Sequence, residues 1–156
     1  MRGKQSKTRK NKLDPIYKSE IVSKFINCLM KDGEKSVAEK IFYESMKKVE
    51  TTLKADPMIV FSKAIENVKP KVEVRPRRVG GATYQVPTPT LENRQLALSI
   101  RWIINAAREK RGSRAMVDAL SEEFIEAYKN TGTAIKKKEE TLKMAEANKA
   151  FSHLSW

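Results

Sequence analysis

Apolar residues along this chain recur mostly at helical spacing. From Ser19 onward, Ile21, Val22, Phe25, Ile26, Leu29 and Met30 share one face, and Lys31-Asp32-Gly33 closes that helix. A second helix begins near Ser36, with Val37, Ile41, Met46, Val49 and Leu53 inward and Lys/Glu positions outward. Asp56-Pro57 opens a third, a capping residue followed by proline at the first helical position. Its apolar set is Ile59, Val60, Phe61, Ala64, Ile65 and Val68, and Pro70 ends it. Pro87 and Pro89 lead into a fourth helix from Leu91 to Lys110, with Leu96, Ile100, Ile103 and Ala107 on one stripe and Gly112-Ser113 after it. A fifth carries Met116, Leu120, Phe124 and Tyr128 and stops at Thr131-Gly132. A sixth runs from Thr133 towards Asn148 on the weaker stripe Ala134, Leu142 and Ala145.

Between the third and fourth helices the period changes. Val72 to Val79 and Ala82 to Pro87 are β-prone runs flanking Gly80-Gly81, the signal for a two-residue hairpin turn. Closure there pairs Val79 with Ala82, Arg77 with Tyr84 and Arg75 with Val86. One face then carries Glu73, Arg75, Arg77, Val79, Ala82, Tyr84 and Val86; neither face is apolar enough to lie flat on a core. At ~3.3 Å per residue such strands reach roughly 26 Å, enough to leave the body of the domain. The expected fold is mainly α: one domain, a bundle of about six helices with a protruding β-hairpin arm. Its segments are residues 1–13 as a basic flexible tail, 14–70 as helices one to three, 71–90 as the arm, and 91–156 as helices four to six with a C-terminal tail.

Charge turns this architecture towards a polyanion. The chain has 156 residues, 33% of them charged, and a net charge of +13. The excess is concentrated in two places. Arg2, Lys4, Lys7, Arg9, Lys10 and Lys12 stand in the first twelve residues without an acid, and Lys69, Lys71, Arg75, Arg77 and Arg78 face only Glu73 in residues 69–84. A basic tail and a basic arm are the electrostatic footprint of a nucleic-acid binder. An acidic membrane fits less well, because no basic helix has an exposed aromatic face. The one cysteine, Cys28, excludes a disulfide framework. There is no stretch of ~20 apolar residues and no apolar run behind the basic N-terminus, which points to the cytoplasm or an organelle interior.

Catalytic chemistry is poorly supplied. His153 is the only histidine, and Cys28 sits beside Phe25 and Leu29 in a packing pattern. These two do not make a zinc site, and no phosphate-binding glycine loop is present. Glu122-Glu123 and Glu139-Glu140 read as solvated helix faces, so no enzyme, metal or cofactor is expected. Binding chemistry is better supplied. Arg75, Arg77 and Arg78 offer forked donors suited to phosphate oxygens. Tyr84, opposite Arg77, suits a cation–π contact or base stacking. Arg101 and Arg108, seven apart, lie on nearly one face of the fourth helix, followed by Arg111 and Arg114. Lys136-Lys137-Lys138 opens the last helix, where cations oppose the helix dipole and an anion is welcome. Trp102 reads as core; the role of the terminal Trp156 is open. On these features alone, a DNA-bending architectural protein is the alternative to an RNA binder.

Three segments resemble the bacterial-type small-subunit ribosomal protein seven family. They are Ser19 to Ser45, with Phe25-Ile26-Asn27, Asp32-Gly33-Glu34-Lys35-Ser36 and Ile41-Phe42-Tyr43; Val72 to Pro87; and Met144-Ala145-Glu146-Ala147-Asn148-Lys149-Ala150-Phe151 with His153 and Trp156. The resemblance covers Asp14 to Trp156. It implies a helical fold with a β-arm and a structural role in the small ribosomal subunit. It also implies direct binding to the 3′ major domain of small-subunit ribosomal RNA, nucleation of head assembly, and ribosomal proteins nine and eleven as neighbours. By this similarity the tail, the arm and the Arg/Lys faces touch ribosomal RNA, Lys35, Lys71 and Arg94 among them. The tip, Arg78, Val79, Gly80, Gly81 and Tyr84, would lie near exit-site transfer RNA and messenger RNA. Two positions depart from the family pattern. Glu34 stands where lysine is usual, leaving Lys35 for phosphate contact, and no arginine stands between Pro87 and Arg94, where several are usual.

Overall fold

The computed structural model describes residue 3 and residues 12–154. The readings for Arg2, Lys4, Lys7, Arg9, Lys10 and Trp156 lie outside the described residues. Within them the chain forms α1 (Glu20–Leu29), α2 (Lys35–Leu53), α3 (Pro57–Val68), β1 (Val72–Val79), β2 (Ala82–Pro89), α4 (Glu92–Arg111), α5 (Met116–Tyr128) and α6 (Thr133–Ala147). A 3-10 helix, Lys149–Leu154, follows. The expected mainly helical bundle with a hairpin between α3 and α4 is the fold observed.

Four phenylalanines organise the centre. Phe25 of α1, Phe42 of α2, Phe61 of α3 and Phe124 of α5 are each at most 1% exposed. Every ring meets the other three, with centroids between 5.4 and 6.3 Å apart. Full burial of each contributes about 1.5–3 kcal/mol, with edge-to-face contacts adding to it. α5 lies against α2, α3 and α4 and so joins the two halves of the bundle.

The buried stripe of α2 differs from the expected one. Ala38, Phe42, Ser45, Met46 and Val49 point inward, whereas Val37 is 49% exposed and Ile41 only half-buried. The helix is rotated by about one position, because Phe42 has to reach the ring cluster. Ile21 and Ile59 are also exposed, since α1 and α3 carry apolar arcs wider than the surface their neighbours cover. Local signals otherwise act as expected. Asp56 accepts the Met58 N–H at 2.8 Å with Pro57 at the first helical position.

The reading of Glu122-Glu123 as a solvated face fails at Glu123, which is fully buried. Its Oε1 accepts the Ala134 N–H at 2.9 Å, and its Oε2 lies 2.7 Å from Lys110 Nζ. A carboxylate at the first turn of α6 offsets the exposed N–H groups and dipole of that helix. Glu126 also pairs with Lys110. Burial disfavours the charge on Lys110, but hydrogen bonds to Glu123 and Glu126 outweigh it and raise its pKa above the ordinary lysine value. Gly132 sits against this knot at φ 95°, and a Cβ there would stand 2.6 Å from Glu126 Oε2.

At the other end of the chain, Asp14 is 4% exposed and caps the turn before α1. Its Oδ2 accepts the N–H groups of Ile16 and Tyr17 at 3.1 and 2.8 Å, and its Oδ1 accepts the Tyr43 hydroxyl at 2.7 Å. Burial, then the bond to Asp14, pushes the Tyr43 pKa well above the usual tyrosine range.

Candidate nucleic-acid interface

The hairpin closes in the expected register, with Val79 opposite Ala82, Arg77 opposite Tyr84 and Arg75 opposite Val86. Gly80 and Gly81 have φ of 56° and 89°, so both central residues occupy the left-handed region that a type I′ turn requires. The outer part of the arm stands clear: Arg78, Gly80, Gly81, Ala82 and Thr83 are exposed.

Its root does not stand clear, contrary to the reading that neither face can lie on the body. Val86 is fully buried and Glu73 is 7% exposed. Both strands pack on α6, and β2 packs on the 3-10 helix. Tyr84, expected to hold Arg77 or stack a base, has its ring 5.2 Å from that of Phe151. The C-terminal segment supplies Phe151 as an apolar partner for that face of the hairpin. Glu73 holds Arg75 (Nε–Oε1, 2.6 Å) and Arg94 of α4 (Nε–Oε2, 3.2 Å). Lys71 is exposed beside them, and its carbonyl accepts the Thr90 N–H at 3.0 Å.

The second basic surface lies around α4, where three shallow grooves adjoin through shared residues. The first is lined by Leu29, Lys31, Glu34, Val37, Ala38, Ile41, Arg108, Arg111 and Met116. The next, sharing Arg108, is lined by Cys28, Ala97, Arg101, Ile104, Asn105 and Arg108. The third, sharing Asn105, is lined by Trp102, Asn105, Ala106, Glu109, Thr133, Lys136, Lys137 and Glu140. Arg101 and Arg111, ten positions apart, are separated by about 15 Å along the helix axis. Six cations, Lys31, Arg101, Arg108, Arg111, Lys136 and Lys137, together border this basic track of adjoining grooves against three acids.

Individual residues in this track differ from their sequence reading. Cys28 is exposed rather than packed, because Phe25, Ile26 and Leu29 take the inward face and leave it on the flank towards α4. Trp102 packs against the core yet is half-buried and lines a groove. Arg108 is partly fixed, donating to the Leu29 carbonyl at 3.1 Å at the end of α1. Lys31 and Asn105 were not anticipated. Lys31 looked like part of a helix stop, and an asparagine within a helix gives no signal of its own.

Other predicted residues stand apart from the track. Arg114 donates to Glu122 at 2.8 Å and to the Lys110 carbonyl at 3.2 Å. Lys35 is exposed with Glu39 at 3.6 Å. Lys138 turns away and donates to the Asn67 carbonyl at 2.6 Å, whereas Lys137, on the third groove, lies 3.1 Å from Glu140. Lys12 is exposed. No helix among the described residues is long and apolar enough to cross a membrane.

Comparison with known proteins bears on what this surface meets. The pattern of the family described as Ribosomal protein S7p/S5e matches residues 1–149. The small ribosomal subunit protein uS7 of Thermosipho africanus is 53% identical over 156 residues, 100% of both chains. That of Thermotoga maritima is likewise 53% identical over the full length of both. That of Natranaerobius thermophilus is 57% identical over 143 residues, 92% of this chain and 91% of its own.

Proposed function

The chain belongs to the Ribosomal protein S7p/S5e family, and from that membership we propose that it is a structural constituent of the small ribosomal subunit that binds the subunit's RNA directly. Its binding is non-catalytic. Phosphate contacts and shape recognition hold RNA segments in place, with few contacts to base edges. The RNA is the 3′ major domain, whose folding into the subunit head the protein nucleates, with ribosomal proteins nine and eleven as neighbours. The exposed tip of the arm, around Arg78 to Gly81, reaches towards exit-site transfer RNA and messenger RNA. The place of action is the ribosome in the cytoplasm.

The observation that carries this reading is the track along α4. Three grooves share Arg108 and Asn105 and are bordered by six cations, with a basic arm rooted at the same helix. Six cations spread over adjoining grooves suit a run of backbone phosphates better than a single small anion.

The test is binding of the full chain to a fragment of the 3′ major domain across a salt series, with random duplex DNA as competitor. Affinity is expected to fall with a log–log slope of about −0.7 to −0.9 per phosphate neutralised, and the ribosomal fragment to outcompete the DNA. A flat salt response removes the phosphate account. Equal affinity for both nucleic acids favours a DNA-bending architectural protein.

A further inference from the structure

Glu73 is an acid at the root of the basic arm, and it is buried. Its side chain is 9% exposed, while those of its partners Arg75 and Arg94 are 49% and 44% exposed. Oε1 receives Arg75 side-on, through Nε at 2.6 Å and a terminal nitrogen. Oε2 receives Arg94 through Nε at 3.2 Å. That contact leaves the two terminal nitrogens of Arg94, with their four N–H groups, directed elsewhere.

The arrangement has the features of an incomplete anion site. Two guanidiniums and one carboxylate sum to +1. Arg94 lies in the first turn of α4, where the partial positive charge of the helix end, partly offset by Glu92, adds to that of the guanidinium. The ground beneath is firm. Val86, opposite Arg75, is fully buried, and Gln95 donates to the Thr90 carbonyl at 2.8 Å. The two oxygens of a carboxylate are spaced much like the two non-bridging oxygens of a phosphodiester. Arginines spread across the first are therefore spread for the second, with their outer edges in water.

We propose that Glu73 is a positioning residue, holding Arg75 and Arg94 apart so that together they grip one RNA backbone phosphate at the root of the arm. The proposal rests on the RNA-binding reading above. It gives Arg94, the first arginine after the hairpin, a defined task that links arm and helix.

The test exploits the sign of the charge change. Glu73→Gln makes the protein more positive, so simple attraction would strengthen RNA binding. A positioning role weakens it instead, by about 3- to 10-fold, with the salt slope reduced by about one phosphate. Glu44→Gln, an exposed acid on α2, makes the same charge change and is expected to leave affinity equal or slightly higher. Arg94→Lys keeps the charge but cannot serve carboxylate and phosphate together, and is expected to lose as much as Glu73→Gln. The double variant should then lose no more than the weaker-binding single one. Tighter binding by Glu73→Gln, or additive losses in the double variant, overturns the proposal. If Glu73→Gln melts the arm, Arg94→Lys alone decides, since it retains an ion pair with Glu73; unchanged affinity there is also a refutation. Failure of the unaltered chain to bind the fragment would overturn the RNA reading instead.

Discussion

Glu123 and Glu73 are both buried carboxylates beside cations, yet their surroundings differ. Glu123 lies inside the body. It meets Lys110, whose side chain is only 24% exposed, and the Ala134 N–H at the start of α6. Glu73 lies where the arm meets the body, and its two arginines are about half in water. The first joint uses its donors internally; the second leaves donors facing outward. A buried acid is costly in either place unless paired. What distinguishes a structural joint from a binding site here is the exposure of the partners, not the burial of the acid. Asp14 belongs with Glu123, since its oxygens are taken by two backbone N–H groups and the Tyr43 hydroxyl.

The largest test of this contrast is Glu123→Ala. It removes one of the two acids paired with Lys110 and opens the first turn of α6, and is expected to cost about 2–3 kcal/mol in denaturant unfolding. The salt slope of RNA binding should stay unchanged where the variant is folded. A loss of stability under about 1 kcal/mol would make Glu123 an ordinary surface acid despite its burial.

Tyr43→Phe should cost about 1 kcal/mol at neutral pH, because it leaves one Asp14 oxygen without its donor. The same contact has an alkaline signature. The folded-state pKa of Tyr43 is raised, so its contribution is complete below the usual tyrosine pKa and is lost as pH climbs towards the raised value. Lys110, also raised, acts in the same direction. Unfolding free energy should therefore decline above about pH 10, less steeply in Tyr43→Phe. Identical pH profiles for the two proteins would show that this hydroxyl contributes nothing.

The smallest effect is expected at Arg114, whose pair with Glu122 is half-exposed on both sides. Arg114→Ala should change stability by no more than about 0.5 kcal/mol. Because Arg114 stands off the α4 track, its loss should also reduce RNA affinity less than loss of Arg101 or Arg111. Equal reductions would extend the interface round the end of α4.

The hairpin register was legible because Gly80-Gly81 fixes the turn and a period of two does the rest. Helix limits were legible where Pro57, Gly33 and Gly112 mark them. The inward face of α2 was less so. Val37 and Ile41 look as suitable for burial as Ala38 and Phe42, and the choice depends on three rings from other helices. Glu123 was misread for a similar reason, since its neighbours in space, Lys110 and Ala134, come from α4 and α6. Cys28 was misread because a helix flank facing a shallow groove has no sequence pattern of its own. Among the candidate site residues, charge found Arg101, Arg108, Arg111, Lys136 and Lys137. Only the fold aligned them and added Lys31 and Asn105.

Gly132 and the knot of Lys110, Glu123 and Glu126 also bear on the order in which the chain can fold. The first turn of α6 finds its acceptor on α5, and the opposing charge comes from α4, so α6 has no completed seat until those two helices have met. The arm rests in turn on α6 and on the segment after it. During synthesis the arm emerges before α4, α5 and α6, yet its root can be fixed only after the last of them has docked. The basic hairpin is thus among the earlier elements to be made and among the last to be set in place.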